Sequence, residues 1–168
     1  LQEIKRATTR IAGNGSASLW DIGDGVVCLE FHTKMNSIDA GVMAMVEKAL
    51  KVVQADNYKA LINHSEAANF SGGANIVLAL FAANIAGWPE ITKSIKAGQD
   101  AYQALKYAPF PVVGAPSGMA LAGGLEILLH CDAVQAHAET YMGLVEVGVG
   151  LVPAWGGCKE MLTRWHHN

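Results

Sequence analysis

Two glutamates twenty positions apart, Glu126 and Glu146, and two glycine-bearing segments are the residues of this chain whose types and spacing could do chemistry. The first segment is Asn69-Phe70-Ser71-Gly72-Gly73-Ala74-Asn75-Ile76. The second is Ser117-Gly118-Met119-Ala120-Leu121-Ala122-Gly123-Gly124-Leu125-Glu126, and Glu146 closes Met142-Gly143-Leu144-Val145-Glu146. Each segment leads into a helix-like apolar run. Glycines ahead of a helix let bare backbone N–H groups point outward at the positive end of the helix dipole. Two such amides meeting at one point make an oxyanion hole, and two nearby carboxylates supply acid and base. Singly, each feature has a plainer reading: a tight turn without a ligand, or a glutamate that answers a helix dipole. Their joint presence is what points to a reaction.

The elements that must position these residues follow from periodicity. Gly23-Asp24-Gly25 is a hairpin-like turn into Val26–Phe31, a β-branched run typical of a buried strand. Behind Asp39, a helix N-cap, apolar residues recur at Val42, Met45, Val46, Ala49, Leu50 and Val53 with the spacing of an amphipathic helix. Ala60–Asn63 is a second strand and runs straight into the first glycine-bearing turn. Trp88-Pro89 breaks the chain, and Glu90 to Ala108 reads as a long helix that stops before Pro109 and Pro111. Strands at Val112–Ala115 and Ala133–Ala136 flank a helix over Gly124 to His130. Strands alternating with helices give an α/β fold with parallel pairing, a wound ββα order more than a doubly wound nucleotide fold. Residues 1–18 show no sustained period and are expected to be a linker or arm, leaving 19–168 as one domain.

Composition removes several classes. A chain of 168 residues is long enough for one domain burying roughly 70% of its unfolded surface. It is 51% hydrophobic and 16% charged with net charge −3, unlike a disordered or nucleic-acid-coating chain. No membrane span is expected, because the longest apolar-leaning run, Met119 to Leu129, is short and rich in glycine. Leu1 to Gly25 offers no signal segment, and the three cysteines (Cys28, Cys131, Cys158) give no disulfide framework, so a reducing, cytoplasmic compartment is expected. Gly23-x-Gly25 precedes a strand and not a helix, against a dinucleotide fingerprint. Ser71 and Ser117 lack the flanking glycines of a hydrolase elbow. The histidines lack zinc-type spacing with the cysteines, so no metal site is expected.

In their order and spacing these residues resemble the crotonase (enoyl-CoA hydratase/isomerase) superfamily, from about Trp20 to Arg164. The Asn69–Ile76 segment is similar to the family's aromatic-small-x-Gly-Ala-Asp, which places the Ser71 N–H at the first oxyanion-hole position. The segment ending in Gly123-Gly124-Leu125-Glu126 resembles Gly-Gly-Gly-x-Glu, which places the Gly123 N–H at the second. Met142–Glu146 resembles Phe-Gly-x-Pro-Glu and puts Glu146 at the second catalytic glutamate. Lys34-Met35-Asn36-Ser37 resembles the Leu-Asn-Ala segment lining the coenzyme A site. Departures are Asn75 for Asp, Val145 for Pro, Ala122 for one glycine, and Trp155 where a small residue is usual. Thr140 to Gly150 and the linker-like start resemble the hydratase module fused to a 3-hydroxyacyl-CoA dehydrogenase.

The resemblance implies a crotonase-like ββα spiral lacking most of its C-terminal helical segment. It implies hydration of a trans-2-enoyl-CoA to a 3-hydroxyacyl-CoA in fatty-acid β-oxidation, with Glu126 activating water and Glu146 delivering a proton to the α-carbon. Lys34, Met35, Gly72, Gly73 and Ala74 would line the substrate, Lys34 against phosphate. No cofactor is expected; NAD would belong to a fused dehydrogenase domain outside this chain. Homo-oligomers, and weak turnover by an abbreviated module, are also expected. An isomerase or acyl-CoA hydrolase using the same hole, and a silent acyl-CoA-binding or assembly module, remain the alternatives.

Overall fold

The computed structural model describes residues 9–166 together with Glu3 and Lys5. Strands β1 (Arg10–Gly13), β2 (Ala17–Asp21), β3 (Val26–Phe31), β4 (Ala60–Asn63), β5 (Val112–Gly114) and β7 (Ala133–Val134) form one sheet in that spatial order. β1, β2 and β3 are antiparallel, whereas β3, β4, β5 and β7 are parallel. A second sheet pairs β6 (Met119–Leu121) with β8 (Tyr141–Gly143), also in parallel. The helices are α1 (Ala40–Ala55), α2 (Ile76–Asn84), α3 (Trp88–Lys106), α4 (Gly123–Leu129) and α5 (Gly157–His166).

The turn at Gly23-Asp24-Gly25 has all three residues at positive φ and joins β2 to β3 as a hairpin. β3 is buried from Val27 to Phe31, because it lies inside the sheet with α1 over one face. Asp39 caps α1, its carboxylate accepting the Val42 N–H at 2.8 Å. The six residues buried along α1 are Val42, Met45, Val46, Ala49, Leu50 and Val53, the stripe read from periodicity. Each of these except Ala49 contributes about 1.5–3 kcal/mol on full burial.

Two expectations need correction. Within the supposed arm, Arg10–Gly13 is β1, and Ala17 and Ser18 are buried at the start of β2. Short strands with polar turns carry too few residues to show a period. The rest of the arm, apart from Glu3 and Lys5, lies outside the described residues. Trp88-Pro89 opens α3 and does not merely break the chain, since proline's missing N–H costs nothing in a first turn. The helix-like apolar run after the first glycine-bearing segment is α2, over Ile76–Asn84, N-capped by Asn75.

Candidate active site

The two glycine-bearing segments lie against each other. The Ser71 N–H donates to the Met119 carbonyl at 3.0 Å, and the Leu121 N–H donates to the Ser71 carbonyl at 2.9 Å. Only glycine fits at the crossing. A Cβ on Gly124 would meet Ser71 Cβ at 2.7 Å, and one on Gly73 would meet Ala122 Cβ at 2.8 Å. Ser71 is fully buried; its hydroxyl donates to the Asn36 carbonyl (2.7 Å) and accepts the Gly73 N–H (3.1 Å).

This geometry corrects the assignment of the first oxyanion donor. The Ser71 N–H is already spent on Met119, so it is not available to a ligand. Ala74 is three residues further along, and its N–H takes no acceptor among the described residues; neither does the Gly123 N–H at the start of α4. A Cβ built on Gly123 would lie 3.5 Å from the Ala74 nitrogen. A Cβ sits about 2.5 Å from its own nitrogen, so the two amide nitrogens are at most about 6 Å apart. One oxygen can accept from both at ordinary N–H···O lengths.

Behind Gly123, the Tyr102 hydroxyl of α3 donates to its carbonyl at 2.9 Å. The Trp155 indole packs edge-on to the Tyr102 ring, 5.5 Å between centroids. Ala122, ahead of α4, sits at φ 51°, ψ −124°, a conformation that favours glycine. The family's usual glycine at this position therefore has a conformational reason, and Ala122 carries the strain of replacing it.

Both glutamates are buried, Glu126 at 2% exposure and Glu146 at 8%. Glu126 Oε1 accepts two backbone N–H bonds, from Trp155 at 2.9 Å and from Gly157 at 2.8 Å. Gly157 opens α5, so the carboxylate sits at the positive end of that helix. Burial pushes the Glu126 pKa up, the two N–H bonds pull it down, and the negative charge of Glu146 pushes it up again. Glu146 begins a 3-10 turn over Glu146–Val149, and its Oε2 has no partner among the described residues. A buried carboxylate oxygen left open in this way can accept from water or substrate.

The Lys34–Asn36 turn meets the first glycine-bearing segment, where the Met35 carbonyl accepts the Gly72 N–H at 3.0 Å. Lys34 is exposed, and Met35 is 54% exposed beside it. Gly73, one residue on from Gly72, is buried, and a Cβ on it would lie 3.2 Å from the Gly123 nitrogen. Sequence reasoning missed the Ala74 amide as a donor and missed Tyr102, Trp155 and Gly157 as supports. The Gly-Gly pair after Trp155 was the available signal for the last. Among the described residues, no group of three or more His, Cys, Asp or Glu side chains is placed to hold a metal ion. None of the described helices is long and apolar enough to cross a membrane.

Comparison with known proteins agrees with this architecture. The family model for enoyl-CoA hydratase/isomerase matches residues 21–165. A Bacillus subtilis protein named "Probable 3-hydroxyacyl-CoA dehydrogenase" is 42% identical over 170 residues, covering 99% of this chain and 21% of that protein. The fatty acid oxidation complex subunit alpha of Vibrio vulnificus is 37% identical over 135 residues, covering 77% of this chain and 19% of its own length. The chain thus spans about a fifth of these relatives. Among solved structures, an enoyl-CoA hydratase of Geobacillus kaustophilus superposes with a TM-score of 0.80 at 23% identity, over 89% of this chain and 56% of that one. That likeness shows the fold.

Proposed function

The chain belongs to the enoyl-CoA hydratase/isomerase (crotonase) family, and from that premise we propose that it hydrates trans-2-enoyl-CoA thioesters to 3-hydroxyacyl-CoA in fatty-acid β-oxidation. The observation that carries this reading is the convergence of two unspent amides, Ala74 and Gly123, in a site that also holds two buried carboxylates. Adding water across the double bond builds enolate charge on the thioester oxygen. Donors aimed at that oxygen are worth about 3 kcal/mol each in the transition state. The water oxygen bonds to the β-carbon and loses one proton to one glutamate acting as the carboxylate base, while the α-carbon gains a proton from the other, which enters the step as the neutral carboxylic acid.

Glu126 is assigned to the water. Its position is fixed by two N–H bonds to Oε1, so its other oxygen is the one left to act as base. Glu146, with an unpartnered Oε2, is assigned to the α-carbon. Two carboxylates favour hydration over isomerisation, because one group cannot readily serve both carbons. The exposed Lys34 suits a coenzyme A phosphate. The reaction calls for no cofactor. NAD would act in a dehydrogenase domain fused to this module, as the names and lengths of the relatives suggest, in the cytoplasm.

Crotonyl-CoA tests the reading. Loss of the conjugated thioester's absorbance with retention of the thioester supports hydration. A shifted double bond indicates an isomerase, free thiol indicates a hydrolase, and binding without any of these indicates a silent module.

A further inference from the structure

The loop that holds Glu126 rests on a second buried acid, paired with a histidine that has no part in the chemistry above. His130, just past α4, places Nδ1 2.8 Å from the backbone carbonyl of Glu126. A carbonyl only accepts, so Nδ1 carries the proton, and the neutral ring turns a bare lone pair outward at Nε2. That Nε2 is buried and without a partner among the described residues. It faces Glu160 Oε1 of α5 at 3.8 Å, an oxygen that also has the Lys159 ammonium beside it. Both residues touch the peptide between the two amides that hold Glu126. A Cβ on Gly156 would meet His130 Cε1 at 3.0 Å and Nε2 at 3.1 Å. The Glu160 N–H donates to the Gly156 carbonyl at 2.9 Å.

We propose that His130 and Glu160 form a buried pair that holds one titratable proton and positions the Glu126 carboxylate through Gly156. Without that proton, an imidazole lone pair opposes a carboxylate oxygen, and the two must stay apart. With it, Nε2–H donates to Oε1, the gap closes to hydrogen-bond length, and the backbone carrying the Trp155 and Gly157 N–H groups is drawn in with it. A shift well below 1 Å is enough to alter how a base is aimed. His130 and Glu160 are positioning residues here, since neither reaches a reacting atom.

The charged surroundings set the range of the titration. From α3, Lys106 pairs with Glu160 Oε2, and the Tyr102 ring lies 5.5 Å from the imidazole. From α5, Lys159 Nζ lies 2.8 Å from Oε1. Arg164 of the same helix binds the carbonyls of Leu129 and Cys131 beside His130. Asp132 lies two residues past His130 and accepts the Val112 N–H. Burial lowers the His130 pKa most, and Lys106 and Lys159 lower it further. The Glu126 carbonyl bond and Glu160 raise it. A cleft of about 380 Å³ is bordered by Lys106, His130, Glu160 and Arg164.

Nuclear magnetic resonance of the 15N-labelled chain between pH 5 and 8 tests this directly. On acidification Nε2 should gain a proton while Nδ1–H persists, and the Trp155 and Gly157 amide signals should move with the same midpoint. In Glu160→Gln the side-chain amide donates to the lone pair, so the His130 midpoint should fall by about one pH unit and carry the two amide shifts with it. Trp155 and Gly157 amides indifferent to the His130 titration overturn the proposal, and the wild-type titration alone decides the matter if Glu160→Gln does not fold. The kinetic arm rests on the hydratase reading. Glu160→Gln should lower kcat about tenfold with KM unchanged and displace the acidic inflection of the kcat profile; an unmoved inflection also counts against the pair. A chain inert toward every enoyl thioester sinks the hydratase reading alone, because the resonance titration still judges the pair.

Discussion

The proposed role of Glu126 as base requires it to be ionised while buried beside a second glutamate, and that demand can be measured. Glu126→Gln and Glu146→Gln should each lower kcat for crotonyl-CoA by about 10²-fold or more with KM little changed. Full activity in Glu146→Gln would remove the two-carboxylate mechanism. Stability should move the other way. The folded-state pKa of Glu126 is raised, so its contribution is fully present below the unfolded value and is lost as pH rises through the folded value. Glu126→Gln keeps an oxygen for the Trp155 and Gly157 N–H groups without the charge. Its melting temperature should exceed that of the wild type at pH 8, and the gap should close as pH falls toward 4.5. A constant gap across that range would mean that Glu126 titrates normally. Ser71 shows the reverse pattern, a residue spent on structure. Ser71→Ala strands the Asn36 carbonyl and the Gly73 N–H and should cost about 1–3 kcal/mol in denaturant unfolding. A near-silent substitution would mean that water replaces the hydroxyl.

At the scale of elements, the site depends on how α3 and α4 hold the loop carrying Trp155. Gly98 is buried in the middle of α3, where glycine costs about 1 kcal/mol of helix propensity relative to alanine. A Cβ there would meet Trp155 Nε1 at 2.2 Å, and the same ring already lies 2.7 Å from a Cβ position on Gly123. The indole is therefore wedged between α3 and the first turn of α4. Gly98→Ala should lose activity in spite of its better helix propensity, because the displaced indole drags the Trp155 amide off Glu126. A stabilised variant with unchanged kcat would show that the wedge is loose.

Across the whole molecule, apolar surface is distributed unevenly. α2 buries none of its residues, and Val77, Leu78, Leu80 and Phe81 along it are all more than half exposed. Leu162 and Trp165 of α5 are exposed at 70% and 84%. Large open apolar patches drive association in water. The chain should therefore self-associate, with a light-scattering mass above that of one chain at micromolar concentration. A strictly monomeric species with robust hydratase activity would show that these faces need no cover.

The sequence by itself determined the parts whose causes are local. The α1 stripe, the Asp39 cap, the β2–β3 hairpin turn and the boundaries of β4 follow from period, capping and turn chemistry among neighbouring residues. The two glutamates and the two glycine-bearing segments were legible through their types and order. The strands β1, β6 and β8 were not, since three or four residues show no period, and the partners of β6 and β8 lie far along the chain. Which amide is free was decided by tertiary structure alone. Every residue between Ser71 and Ala74 carries an N–H, and no side chain labels the one without an acceptor. The parallel bridge between Ser71 and Ala120 occupies the first and leaves Ala74 facing Gly123. The same holds for Glu126, whose type was plain in the chain. Its aim is set by two backbone N–H groups on a loop that only folding brings beside it.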